Sequence, residues 1–88
     1  MEKIWVITYE EGYSDGNTIS GVLPTAYKTF LAAQKAMEKA WEYDRNKLIE
    51  NGMSEEKVEY LTDYCETRIL FEQGNEWTLY EMKELEME

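Results

Sequence analysis

Three stretches of the chain predict an α+β fold, an antiparallel sheet of about four strands with one long and one short helix on one face. The chain opens on KIWVITYE (residues 3–10), β-branched and aromatic, with the alternation of a strand. In the stretch from Thr29 to Asn51, FLAAQKAMEKAWEYDRNKLIE repeats its apolar residues every three or four positions, the period of one helix face. Later, two β-rich runs, TRILFEQ and EWTLYEMKEL, flank Gly74-Asn75, a pair suited to a two-residue hairpin turn. The predicted order is β-β-α-α-β-β, in a single domain over residues 1–88. An 88-residue chain can bury one core but not a large internal active site.

In the first strand Ile4, Val6 and Thr8 point one way, and Lys3, Trp5, Ile7 and Tyr9 the other. Residues 11–17, EGYSDGN, form a turn-rich connection. Asp15 and Asn17 offer oxygen donors, but the rest of a calcium-loop pattern is missing, so a plain hairpin connection is expected. Residues 18–23 make a second, poorer strand. Gly21 weakens it, and Pro24 cannot donate to a ladder, which suggests an edge. The long helix has Thr29 as its preferred N-cap, with Thr25 competing, and Gly52 as its stop. Its apolar stripe runs through Phe30, Ala33, Met37, Ala40, Trp41 and Leu48, and Asp44 interrupts it. Trp41 with Arg45 is the one part of this helix read as a contact.

Ser54 begins a second helix as N-cap, with Glu55 and Glu56 in a first turn that favours negative charge. Val58, Leu61 and Cys65 repeat at helical steps, so this helix is expected over about residues 55–65 with a buried thiol. In the hairpin that follows, a two-residue loop pairs Phe71 with Thr78, Leu70 with Leu79, Ile69 with Tyr80 and Arg68 with Glu81. The face with Ile69, Phe71, Tyr80 and Met82 is the better core candidate. The charged tail, residues 83–88, is expected to fray.

Composition narrows the function. There are 19 acidic and 9 basic residues, a formal charge of −10. That disfavours direct nucleic-acid binding and attachment to anionic membranes. No histidine is present, and Cys65 is the only cysteine, which removes the commonest general base, any internal disulfide and any cysteine zinc site. No cofactor or metal ligand set is expected. The opening residues lack an apolar signal core and no run is long enough for a membrane span, so a cytoplasmic location is expected. No Walker loop, dinucleotide fingerprint or Gly-x-Ser-x-Gly occurs, and no spacing selects two carboxylates for hydrolysis. No catalytic residue is assigned. A hydrolase would need a deep pocket holding two acids with raised pKa values.

The charge is uneven. Residues 53–88 hold eleven acidic and three basic side chains, a net of −8, while residues 25–52 sum to +1. A one-sided negative field steers a basic partner and imitates the phosphates of a duplex. The candidate contacts are Glu55, Glu56, Glu59, Asp63, Glu66, Glu72, Glu76, Trp77 and Glu81. Aromatic residues are plentiful, and Trp5, Trp77, Leu70 and Leu79 are expected to share the sheet face away from the helices. Such a face suits a partner contact or a homodimer.

AYKTFLAAQKAMEKA, a strand end passing into an alanine-rich helix, resembles a step in small proteins of phages and mobile elements. KIWVITYEEGYSDGN is similar to the same group. By size, acidity and lack of catalytic groups the chain also resembles anti-CRISPR and related anti-defence inhibitors. That resemblance implies a stoichiometric inhibitor that blocks a basic, nucleic-acid-binding surface of another protein, and it assigns no residue. The alternative is an assembly module that self-associates through the Trp5/Trp77 face.

Overall fold

A computed structural model describes residues 2–87, with side chains for 3–86. The element order is β1 (Glu2–Gly12), β2 (Thr18–Val22), α1 (Phe30–Glu50), α2 (Glu55–Leu61), β3 (Thr62–Cys65), β4 (Arg68–Gln73) and β5 (Glu76–Met87). The strands form one antiparallel sheet of five, ordered β2-β1-β5-β4-β3. The α+β class therefore holds, with one strand more than the sequence suggested.

That extra strand is β3, which replaces the end of the expected second helix. Thr62 stops the helix: its backbone is extended, and its hydroxyl donates to the Val58 carbonyl at 2.5 Å. Thr62 then pairs with Phe71 and Tyr64 with Ile69. β-branched and aromatic residues fit this pleated edge better than a helix end. The strand turns Cys65 outward, so the thiol is exposed rather than buried.

The tail does not fray within the described residues. β5 continues to Met87 and runs the full length of β1, with Ile4 opposite Leu85 and Lys3 3.6 Å from Glu84. Without it the first half of β1 would lack its ladder on that side, a cost that outweighs the tail's polar composition. The terminal Glu88 lies outside the described residues.

Other local expectations match the structure. The Thr29 hydroxyl accepts from the Ala32 N–H at 3.1 Å. At the other end Gly52 has φ +104°, its N–H donates to Ile49 and that of Met53 to Leu48. These two bonds close a Schellman motif. The β4–β5 hairpin has the predicted register. Gly74 has positive φ and Asn75 does not, which makes the turn type II′.

Both helices cover one sheet face. The core joins Ala33, Met37 and Trp41 of α1 and Val58 of α2 to Ile7, Ile69, Phe71, Tyr80 and Met82 of the sheet. Asp44 interrupts the apolar stripe because it has a task inside: the Tyr80 hydroxyl donates to it at 2.5 Å. Trp5 also belongs to the helix side, its ring edge-on to Phe30 with centroids 5.2 Å apart. Trp77 lies on the opposite face, where it covers Gly12, its cross-strand partner. The two tryptophans do not share a face. The uncovered face instead carries Ile4, Val6, Leu70, Trp77 and Leu79, all part-exposed, with Leu85 exposed.

Candidate acidic binding surface

Two groups of acidic side chains stand out, and cations meet members of the first. The first lies on α2 and β3. Arg45 of α1 donates from Nε to Glu59 at 2.8 Å and from a terminal nitrogen to Glu55 at 2.7 Å. Its guanidinium is held above its ordinary pKa, first by Glu55 and then by Glu59. The Trp41 indole donates to the Tyr64 hydroxyl at 3.0 Å, and that hydroxyl lies 3.4 Å from Glu59. The network ties α1 to α2 and to β3. Asp63 has Arg68 at 3.9 Å. Trp41 and Arg45 thus serve the fold: one is buried and the other is held by two carboxylates. The Arg68–Glu81 register is as expected, yet the guanidinium forms its ion pair with Asp63.

The remaining predicted contacts are scattered. Glu56 is exposed in the first turn of α2. Glu66 sits in the β3–β4 turn, where its carbonyl accepts from Gln34 at 3.0 Å. Glu72, Trp77 and Glu81 lie on the uncovered face, and Glu76 begins β5 at the sheet's end. The structure therefore spreads the nine residues over several surfaces.

A second acidic group gathers at that same end, where the β1–β2 loop, the β4–β5 turn and the last turns of α1 meet. They enclose a cleft of about 250 Å³ lined by Glu11, Tyr13, Trp41, Asp44, Lys47, Leu48, Phe71, Glu76 and Trp77, among others. The loop is set by its own short bonds. The Tyr13 N–H donates to the Asn17 carbonyl and the Asn17 N–H to Asp15, both at 2.9 Å, with Gly16 at φ +89°. The Tyr13 hydroxyl donates to Glu11 at 2.6 Å.

Like charges crowd this end. Burial raises the Asp44 pKa above the ordinary carboxylate value, the Tyr80 hydrogen bond works against that, and Glu11 adds to it. Tyr80 is raised by burial and then by the bond to Asp44. Tyr13 is raised by its bond to Glu11, with Glu11, Glu76 and Asp15 adding their charge. Among the described residues none of Glu11, Asp44 and Glu76 forms an ion pair. Lys47 also lines the cleft, but its ammonium lies 5.4 Å from the centroid of the Tyr43 ring.

Sequence reasoning missed Glu11 and Asp44 as site residues. The interruption of the helix stripe at Asp44 was the available signal. The cleft is lined by three acids, Glu11, Asp44 and Glu76, and the pKa of Asp44 is raised. Asp44 accepts from Tyr80 and Glu11 from Tyr13. No group of three or more histidine, cysteine or acidic side chains among the described residues could hold a metal ion. No helix among them is long and apolar enough to cross a membrane. Comparison with known protein families, curated proteins and solved structures finds no match.

Proposed function

We propose that this protein is a non-enzymatic acidic binding module, most concretely a stoichiometric inhibitor that occupies a basic, nucleic-acid-binding surface of a protein partner. One observation carries the reading: the sheet end presents Glu11, Asp44 and Glu76 with no cation paired to them, in a chain of net charge −10. Carboxylates without a cation of their own gain when an external cation meets them. Glu72, opposite Trp77 on the neighbouring strand, extends the same field. Glu55, Glu59 and Asp63 contribute less, because Arg45 and Arg68 already oppose them.

The test begins with the partner, captured from nuclease-treated host lysate by cross-linking and identified by mass spectrometry. Its affinity for the purified protein is then measured across salt, alone and against duplex nucleic acid. Screening shortens from ~10 Å at 0.1 M to ~3 Å at 1 M salt, so the affinity should fall steeply. The duplex should compete. Affinity flat in salt, or simultaneous binding of duplex and inhibitor, refutes the reading. Charge reversal belongs at Glu72 and Glu76, because reversal at Glu55 or Glu59 would break the Arg45 clamp and confuse binding with folding.

A second reading rests on the uncovered face. Ile4, Val6, Leu70, Trp77 and Leu79 lie there without a covering layer, as an assembly module with a homodimer interface would have them. Light scattering decides it: a dimer that Leu79→Lys dissociates supports this reading, and a monomer at high concentration removes it.

A further inference from the structure

We infer that the cleft at the sheet end receives a single cationic side chain, an arginine, from the protein partner; this rests on the acidic-module reading and names the contact at its centre. Size is the first argument. Clefts that enclose whole small-molecule ligands run to about 300–1,000 Å³, and this one, at about 250 Å³, suits one long side chain. Wall chemistry is the second. Part-exposed Trp77 and Leu48 line the cleft above the buried Trp41 and Phe71, and Tyr13 stands at the rim, exposed. A guanidinium stacks on aromatic faces and sheds water more readily than an ammonium, so these walls favour arginine over lysine.

Charge is the third argument. Glu11, Asp44 and Glu76 converge on the cleft from β1, α1 and β5. Glu55, Glu59, Asp63 and Glu84 each have an ion pair; these three, like most acids among the described residues, have none, and only these three line the cleft. The cation at hand, Lys47, has its ammonium over the exposed Tyr43 ring. An entering guanidinium would meet carboxylates already fixed by Tyr80 and Tyr13, with little side-chain ordering left to do. Its planar fork offers five donors, enough for two of the carboxylates together.

The experiment uses the whole chain and three small probes: Nα-acetyl-argininamide, the lysine equivalent, and the citrulline equivalent, which has the shape of arginine without its charge. Backbone amide shifts are followed by NMR. The expected result is saturable shifts at Glu11, Gly12, Tyr13, Asn51 and residues 73–78, with a millimolar Kd for arginine, weaker binding of lysine and none of citrulline. Asp44→Asn keeps an acceptor for Tyr80 and should weaken binding at least ~5-fold, which a lost charge–charge contact readily explains. Glu11→Gln should do the same, and Glu56→Gln should not. No saturable shift with arginine overturns the inference. So does an equal response to citrulline, or shifts confined to the Glu55–Glu59 region. The broader reading fails separately. A captured partner whose binding is steeply salt-dependent yet unchanged by Asp44→Asn and Glu11→Gln would leave the acidic module standing without this pocket. Salt-insensitive partner binding with an intact arginine site would do the reverse.

Discussion

Tyr80→Phe tests the link between the core and the acidic cleft. Tyr80 is only 8% exposed, and phenylalanine keeps the packing of its ring. What goes is the hydroxyl that donates to Asp44 at 2.5 Å. A hydrogen bond to a charged group contributes about 1.5–3 kcal/mol. Asp44 is part-exposed, so water reaches it and replaces some of the loss. The lower half of the range applies, about 1.5–2 kcal/mol. Unfolding entropy near 2.1 cal/mol/K per residue comes to roughly 185 cal/mol/K for this chain. The melting temperature should therefore drop by roughly 8–11 °C. Thermal denaturation at neutral pH, followed by circular dichroism, measures it for the wild type, Tyr80→Phe, Asp44→Ala and the double variant. The double variant should cost about 1 kcal/mol less than the sum of the singles. A Tyr80→Phe melt within ~2 °C of wild type, or strict additivity in the cycle, would refute the reasoning.

Four further outcomes follow from other contacts. Gly12→Ala places a methyl 2.2 Å from Trp77 Nε1; it should cost ~1–3 kcal/mol and shift tryptophan emission to the red, and an unchanged melt would show that the ring yields freely. Arg45→Met keeps the stem but drops both carboxylate contacts; Glu55 and Glu59 are well exposed, so the loss should be ~0.5–2 kcal/mol at low salt and shrink as salt rises. Cys65→Ser should change stability by less than ~0.5 kcal/mol, and the exposed thiol should react with a disulfide reagent in the native protein; reaction only in denaturant would contradict the β3 placement. The fourth concerns pH. The folded pKa of Asp44 is raised, so the folded state binds more protons than the unfolded one from about pH 4 upward to that raised value. Stability should fall as pH rises through this window, and Asp44→Asn should remove that part of the slope; identical pH profiles would count against the burial of Asp44.

How much of the fold was legible depended on whether its determinants were local. The caps at Thr29 and Gly52 act within a few residues, and both were readable. The β4–β5 register follows from a turn at Gly74-Asn75 and from alternation, and it too was readable. β3 was not. Val58, Leu61 and Cys65 keep helical spacing across the point where Thr62 turns extended, and only the long-range pairing of Thr62 with Phe71 settles the choice. The tail misled for a similar reason. KELEM reads as solvated until β1 lies beside it. Trp5 was read on the correct side of β1, together with Ile7 and Tyr9. What alternation within one strand cannot supply is which side the helices cover, and so Trp5 was grouped with Trp77.

The same distinction explains the candidate site. Sequence located the excess acid in residues 53–88, and the charge count there is correct. A count does not show where cations of distant segments land. Arg45 lies ten residues before Glu55 and fourteen before Glu59 in the chain. Only the packing of α1 beside α2 makes one guanidinium serve both, and that contact turns the densest acidic run into part of the scaffold. Glu11, Asp44 and Glu76 come from three separate segments, one of them in the region of net positive charge. Folding brings them together without bringing a cation that pairs with them. An acid that the fold has already opposed has little to gain from a partner. In the proposed reading an acid left without a cation gains most, which would put the weight of recognition at the sheet end rather than on α2.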